Sequence, residues 1–210
     1  MMVRFMIDVF CDSSPNGYKI LILLEEIGIR YRLVSVDLSG DLASIPGFLD
    51  VSPDGRIPAI VDHGTKSGGE SVLLFESGAI MLYLAEQSGQ FLPRNSASRI
   101  EALKWLFWQV SNFGPTLGQL MHFRGDPESP AQVLDYFLSQ AKRLYQFLDR
   151  ELGHRDYIAQ EYSIADMAIY PWIAIHENQG LNIPDFPNLM RWYFDMEDRE
   201  AVERAYDLKI

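Results

Sequence analysis

A single cysteine, Cys11, stands in this chain of 210 residues, which excludes an internal disulfide and is typical of proteins in a reducing cytosol. Basic residues are also few. There are 18 lysines and arginines against 29 aspartates and glutamates, and the net charge of -11 argues against nucleic acids and acidic membranes as partners. No apolar run approaches the ~20 residues of a membrane-spanning helix, and no secretion signal is expected, because the first residues lack its long apolar region and its cleavage site. We therefore expect a soluble cytoplasmic protein.

Metal-ligating and nucleophilic side chains are equally sparse. The run Cys11-Asp12-Ser13-Ser14 has serine where a C-x-x-C motif needs its second thiol, so we interpret Cys11 as a buried, inert cysteine. If Cys11 is inert, any thiol chemistry must use the thiol of a bound ligand. No metal is expected, because the histidines have no metal-ligand spacing with one another (His63, His122, His154 and His176).

Residues 6–90 have the pattern of an α/β domain. Alternating and β-branched stretches indicate strands, and apolar stretches that open on polar residues or close on glycine indicate helices. The predicted order is β-α-β-(α)-β-β-α, with strands at 6–10, 31–38, after Pro58 and at 71–75, and with helices at 18–27, near Phe48 and at 76–87. A βαβ crossover followed by a hairpin and a helix is a thioredoxin-like arrangement.

The composition changes at residues 91–96, which we interpret as a linker, and the remainder is helical in period. An all-α second domain is therefore predicted for residues 97–210. Its longest helices are expected at 97–123, with a bend at Gly114-Pro115, and at 130–152.

Two groups of side chains in this helical half are interpreted as structural. Ser163 and Asp166 precede an apolar run at the spacing of a capping box, which satisfies backbone donors at a helix start. The aromatic cluster of Trp105, Phe107 and Trp108 is assigned to the core between helices.

The stretch Arg56-Ile57-Pro58 suggests a binding site. An apolar strand begins after Pro58, where a cis peptide bond would turn the main-chain groups of Ile57 outward, free to pair with a bound peptide. Further along, Glu76 and Ser77 stand at the start of a predicted helix, where unpaired N–H groups and the helix dipole attract a carboxylate. Together the two features predict a site for a small acidic peptide.

The order and spacing of these motifs over nearly the whole chain resemble those of the cytosolic glutathione S-transferases. Within that superfamily three runs resemble the bacterial nu class: Ser14-Pro15-Asn16-Gly17-Tyr18-Lys19, Phe75-Glu76-Ser77-Gly78-Ala79-Ile80 and Trp105-Leu106-Phe107-Trp108-Gln109. The resemblance implies the two-domain transferase fold, glutathione as co-substrate, and a homodimer. It also implies disulfide reduction rather than vigorous conjugation.

The resemblance also implies roles for individual residues. Ser14 and Asn16 would stand beside the glutathione sulfur as the catalytic pair. The other implied contacts are Ile57-Pro58 with the cysteinyl backbone, Glu76 and Ser77 with the γ-glutamyl end, Arg56 near the other carboxylate, and Gln119 and His122 on the wall facing the site. The alternative interpretation of His122, a lone histidine near aromatic residues, is a packed and hydrogen-bonded core residue.

Ser14 and Asn16 also have a physical case of their own. A thiol of pKa about 8.5 is only a few per cent thiolate at neutral pH, and a hydrogen bond to a charged acceptor stabilises by about 1.5–3 kcal/mol, or one to two pKa units. A hydroxyl and an amide could therefore make thiolate a major species. The alternative interpretation is that both residues only cap the helix, and Ser13 is a competitor for the hydroxyl role.

Two departures from the family pattern predict weaker glutathione binding. Ala43 stands where relatives carry a glutamine, and Tyr136 stands where some carry an arginine. The preferred function is glutathione-dependent reduction of small disulfides. The alternatives are conjugation of glutathione to electrophiles, with an acceptor against the apolar wall near Met121, and a non-catalytic glutathione-binding regulatory module.

Overall fold

The computed structural model describes residues 7–64, 70–208 and 210, which divide into two compact units. One unit contains the described residues up to Gln90 together with those from Glu200 onward, and the other is Phe91–Arg199. The last helix therefore groups with the first unit, whereas the sequence pattern predicts it within the second domain. The predicted bounds 6–90 and 97–210 stay a prediction. Met6, the predicted start of the first strand, and the middle of the turn before residue 70 lie outside the described residues.

The first unit contains the thioredoxin-like arrangement of mixed strands and helices predicted from the sequence. Its four strands are β1 (Ile7–Cys11), β2 (Tyr31–Ser35), β3 (Ala59–Asp62) and β4 (Val72–Phe75). They are ordered β2-β1-β3-β4, with β2 parallel to β1 and with β3 antiparallel to both β1 and β4. The predicted β-α-β-(α)-β-β-α order is confirmed.

The helices of this unit begin and end at the residue types that caps require. They are α1 (Pro15–Ile27), α2 (Phe48–Val51), α3 (Ser77–Ser88) and α9 (Glu200–Tyr206). A 3₁₀ turn, Leu42–Ser44, precedes α2. α1 starts earlier than predicted because Ser14 caps it and Pro15 takes the first turn, where its missing N–H costs nothing. Gly28 ends it with φ 69, as predicted.

The two central strands of the sheet, β1 and β3, are buried on both faces. Phe10 and Ala59 point to one face and pack with Phe48 of α2. The neighbouring pair, Val9 and Ile60, is fully buried on the opposite face, as the alternation of a pleated strand requires. α1 packs against both α3 and α9. The sheet is thus a rigid base, and the loops at its ends can position side chains accurately.

The second unit is helical, as predicted. Its elements are α4 (Ser96–Trp108), a π-helical segment (Gln109–Phe113), α5 (Gly114–Gly125), α6 (Ala131–Leu152), α7 (Ile164–Ile173), a 3₁₀ turn (Ile183–Asp185) and α8 (Pro187–Glu197). The helix predicted at 97–123 is therefore interrupted directly before Gly114-Pro115, where proline removes a backbone donor. Among the helices described, none is both long and apolar enough to cross a bilayer.

The aromatic cluster of α4 is only partly a core feature. Trp105 is buried and Trp108 is half-buried, and both rings lie against Phe147 of α6, at 5.5 and 5.6 Å between centroids. The prediction was wrong for Phe107, whose side chain is 61% exposed. Residues three apart share a helix face, whereas a residue two positions along is turned by about 200°.

The predicted capping box at the start of α7 is confirmed and extends further than the sequence shows. Oδ2 of Asp166 accepts hydrogen bonds from the Ser163 N–H (3.1 Å) and hydroxyl (3.3 Å). Oδ1 accepts from the Ile158 N–H (2.9 Å) and from the Trp192 indole N–H (3.0 Å). Asp166 is fully buried, so these donors depend on this one carboxyl group.

Replacing Asp166 by alanine should therefore destabilise the second unit by about 3 kcal/mol or more, because buried donors of three residues lose their acceptor. The measurement is the free energy of unfolding from urea titrations followed by circular dichroism. Asp156→Ala is the control, since the Asp156 side chain is 91% exposed. A loss below about 0.5 kcal/mol for Asp166→Ala would contradict the structural role.

Candidate active site

A cavity of about 340 Å³ opens in the first unit where β1 ends and where α1 and α3 begin. Seven of the nine predicted site residues line it. Ser14 and Asn16 come from the start of α1, Arg56, Ile57 and Pro58 from the loop before β3, and Glu76 and Ser77 from the start of α3.

Strand register brings these three segments together. Phe10 of β1 is paired with Ala59 of β3, and Ala59 is paired with Phe75 of β4. Because β3 is antiparallel to both neighbours, the residues that follow β1 and β4 lie beside the residues that precede β3. The loop at Ile57 is therefore flanked on one side by the start of α1 and on the other by the start of α3.

Ser14 holds its position through a capping hydrogen bond. Its Oγ atom accepts from the Gly17 N–H at 3.2 Å. Only glycine fits at position 17, because a Cβ atom there would lie 2.5 Å from the Asp12 carbonyl oxygen. A hydroxyl that accepts in this way still has its own proton to donate. Capping and ligand binding are thus compatible roles for Ser14, and Asn16, half-buried, lines the same cavity.

The loop before β3 is held by a buried serine. The Ser52 hydroxyl donates to the Arg56 carbonyl oxygen (2.7 Å), and its oxygen accepts from the Arg56 N–H (3.1 Å). The Ile57–Pro58 peptide bond is cis, as predicted. Within the described part of the chain, neither main-chain group of Ile57 forms a hydrogen bond. These groups can therefore pair with a bound peptide.

Arg56 presents its charge to solvent at this edge of the cavity. Its side chain is 78% exposed and lies 3.7 Å from the Asp54 carboxylate, which is 80% exposed. An ion pair in such a setting contributes little. The guanidinium is therefore available to a ligand carboxylate.

The start of α3 supplies a second set of polar groups. Glu76 has φ 73, a conformation that few residues other than glycine adopt, and it precedes the first helical residue, Ser77. Behind Ser77 lies Lys19 of α1, whose Nζ atom is 3.4 Å from the Ser77 hydroxyl oxygen. Lys19 is 2% exposed, and burial lowers the pKa of its amino group to about 7 against the opposing effect of Glu76.

Sequence reasoning missed Lys19 and four residues that line the cavity: Asp12, Leu38, Asp54 and Phe75. Lys19 could have been noticed, since it precedes an unbroken apolar run in α1 and so lies on a helix that is mostly buried. No comparable sequence pattern indicated that Asp12 lines the cavity. Its Oδ1 atom is buried and has no hydrogen-bond partner among the described residues.

Comparison with known proteins decides the family. The family model for the N-terminal domain of glutathione S-transferases matches residues 13–87, and the model for their C-terminal domain matches residues 110–200. The chain belongs to the glutathione S-transferase family. The N-terminal match contains the seven predicted residues that line the cavity of this transferase.

Individual relatives resemble the transferase over almost its whole length. The disulfide-bond oxidoreductase YfcG of Escherichia coli is 41% identical over 95% of this chain and 94% of its own. A glutathione transferase family member from Pseudomonas fluorescens, solved with two glutathione bound, has a TM-score of 0.88 at 39% identity, covering 98% of this chain and 94% of its own. A Pseudomonas putida transferase with one glutathione disulfide bound per subunit has a TM-score of 0.89 at 35% identity, covering 98% and 93%.

The remaining predicted site residues, Gln119 and His122, lie on α5 of the second unit, and their binding role stays a prediction. Both side chains are exposed. The alternative interpretation of His122 as a packed core residue is therefore wrong, although its ring lies 5.2 Å from that of Phe123. Neither Ala43, in the 3₁₀ turn, nor Tyr136, which is 58% exposed on α6, is among the residues that line the cavity.

The structure supports an inert Cys11. The side chain is fully buried, and burial, assisted by the neighbouring Asp12 charge, raises the pKa of its thiol to about 12. Its thiolate is therefore negligible at neutral pH. Among the described residues, no group of three or more His, Cys, Asp or Glu side chains could hold a metal ion.

Iodoacetamide at pH 8 should accordingly label Cys11 at least about 100-fold more slowly in the native transferase than in denaturing urea, where the thiol regains a pKa of about 8.5. Mass spectrometry of the intact chain over time measures both rates. Fast native labelling that glutathione prevents would contradict the inert role and would place Cys11 in the site.

Proposed function

We propose that this transferase reduces small disulfides with glutathione, which binds in the cavity of the first unit with its sulfur beside Ser14 and Asn16. One observation carries the proposal: a hydroxyl, an amide, free main-chain groups and a helix start converge on one cavity. The relative YfcG, a disulfide-bond oxidoreductase, supports this choice of reaction.

Each part of glutathione finds a chemically matched group along this cavity. The cysteinyl main chain pairs with Ile57, as one strand pairs with another. The γ-glutamyl carboxylate lies at the N terminus of α3 beside Ser77, and its ammonium faces Glu76. The glycyl carboxylate is within the range of the exposed Arg56 side chain. This orientation directs the sulfur toward the start of α1.

The start of α1 favours the thiolate form of the bound sulfur. Ser14 Oγ–H and the Asn16 amide are both donors, and a hydrogen bond to an anion stabilises it by about 1.5–3 kcal/mol. The helix dipole acts in the same direction. The Asp12 carboxylate opposes these effects, because Asp12 also lines the cavity. Modest stabilisation suffices, because a much lower pKa would cost the thiolate its nucleophilicity.

The reaction needs no cysteine of the protein. The glutathione thiolate attacks one sulfur of the disulfide, the S–S bond breaks, and the departing thiolate takes up a proton. A second glutathione thiolate then attacks the mixed disulfide and releases the second thiol with oxidised glutathione. Buried Cys11 takes no part. The Pseudomonas relatives solved with two glutathione or one glutathione disulfide support a cleft that accepts two glutathione units.

Conjugation of glutathione to electrophiles is the second candidate, and membership of the transferase family favours it. The same thiolate would attack a carbon atom instead of sulfur. Parallel assays with 2-hydroxyethyl disulfide and with a chloronitrobenzene distinguish the two reactions. Calorimetric binding of glutathione with neither activity would indicate a regulatory module. The homodimer and the cytoplasmic location implied by the resemblance belong to this proposal as well.

Asn16→Ala should lower kcat/KM for 2-hydroxyethyl disulfide at pH 7 at least about tenfold and should shift the thiol inflection of the pH–rate profile upward by about one unit, because the thiolate loses one donor. Ser14→Gly should act likewise. Glycine caps a helix nearly as well as serine, so this variant removes the hydroxyl with little loss of stability. Steady-state kinetics between pH 5.5 and about 9.5 measure both effects.

Ser13→Ala is the matched control, since Ser13 is an exposed neighbouring hydroxyl that does not line the cavity. Its kinetics should equal those of the wild type. An unchanged pH–rate profile for both Asn16→Ala and Ser14→Gly would remove the proposed donors. If the wild type failed to bind glutathione, the proposed function itself would be wrong.

A further inference from the structure

Lys19 is a basic residue that is almost fully buried on the largely apolar helix α1. It lies in the second turn of α1 and is followed by five buried residues, Ile20, Leu21, Ile22, Leu23 and Leu24. Its amino group lies beside the first residue of α3, where the Nζ–Oγ distance to Ser77 is 3.4 Å. Burying a charged lysine costs free energy, which hydrogen bonds and nearby opposite charges offset. The hydrogen bond to Ser77 places the amino group directly behind a wall of the proposed glutathione cavity.

The protonation state of Lys19 determines what the Ser77 hydroxyl can do. An ammonium group can only donate, so Ser77 Oγ must accept from it and is left with its own proton for another partner. A neutral amine can accept, in which case Ser77 can donate back to Lys19. The Ser77 hydroxyl proton is therefore reserved for a ligand in the cavity only when Lys19 is charged.

A ligand carboxylate at this position would change the charge on Lys19. Burial favours the neutral amine, and the pKa of about 7 leaves both forms populated at neutral pH. Glu76 is the charged group that opposes burial. Beside Ser77 the ligand carboxylate would oppose it directly, because charges interact strongly across a buried site, and the ligand ammonium would be balanced by Glu76.

We propose that Lys19 is a positioning residue of the glutathione site: its buried amino group takes up a proton when the γ-glutamyl carboxylate binds at the start of α3, and the resulting ammonium holds the Ser77 hydroxyl as a donor toward that carboxylate. The inference rests on the proposed function, since it takes glutathione as the ligand. It assigns Lys19 to orientation and charge balance and not to contact with the reacting sulfur.

Other titratable groups near α1 can be separated from Lys19 by experiment. From α3 these are Glu76 at its start and, further along, Tyr83 and Glu86; from α9 they are Glu200, Glu203, Arg204 and Tyr206; and at the end of β1 it is Cys11, close to Gly17. Asp12, Asp54 and Arg56 line the cavity. A substitution at Lys19 leaves all of them in place.

Calorimetry with S-methylglutathione tests the proton uptake, because the sulfur of this probe cannot titrate. Binding at pH 7 in buffers of different ionisation enthalpy gives the number of protons exchanged. The wild type should take up about half a proton per site, the fraction missing from a group of pKa about 7. Lys19→Met, which cannot titrate, and Lys19→Arg, which stays charged, should both take up none.

The affinity for S-methylglutathione distinguishes the effect of the Lys19 charge from the effect of its side-chain shape. Lys19→Met should weaken S-methylglutathione binding at least about tenfold, and Lys19→Arg should restore most of this loss. Wild-type affinity should fall relative to that of Lys19→Arg as the pH rises from about 7 to 9, because the bound state holds the extra proton. Lys142→Met, the same change at an exposed lysine of α6, should leave binding unchanged.

A second probe tests whether the effect of Lys19 on binding depends on the γ-glutamyl carboxylate. An S-methyl analogue whose γ-glutamyl residue is replaced by 4-aminobutanoate lacks the carboxylate in question, so Lys19→Met and the wild type should bind it equally. A wild type that binds S-methylglutathione with no proton uptake, or a Lys19→Met variant of unchanged affinity, would overturn the inference and leave the proposed function standing. No binding by the wild type would reject both. If Lys19→Met did not fold, the wild-type proton count would still decide.

Discussion

The antiparallel register of β3 between β1 and β4 is the constraint on which the candidate site depends. It pairs Phe10, Ala59 and Phe75 in one row across the sheet, so that three chain segments leave the sheet at the same end. A slip of one residue would exchange the buried faces of β3, and both of these faces are packed. The free energy of core burial therefore also fixes the distances between Ser14, Ile57 and Ser77.

Local capping and the proposed chemistry share the same atoms. Ser14 caps α1 through an acceptor lone pair, which leaves its proton for a ligand, and the close approach of Gly17 to the Asp12 carbonyl sets the angle at which α1 starts. At α3 the first residue, Ser77, is backed by Lys19. Both helix starts thus place a hydroxyl and the positive end of a helix dipole at the cavity, an arrangement suited to a ligand that carries negative charge at two points.

Sequence reasoning succeeded where the chemistry is local and failed where it depends on orientation. The cis bond before Pro58, the Gly28 terminus and the Asp166 capping box follow from properties of single residues and short spacings. Phe107 was misplaced because a run of aromatic residues does not reveal which face of a helix is buried. The alternative interpretation of His122 as a core residue was wrong for a similar reason.

The amino-acid sequence by itself determined the order of the elements, the absence of a second thiol, and the residue types needed to bind an acidic peptide. These depend on periodicity, turn chemistry and composition. Only the tertiary structure decided that Asp12 lines the cavity and that Lys19 lies behind Ser77, 58 positions away along the chain. Pairing across such a separation comes from packing helices against a sheet, and no local pattern in the sequence records it.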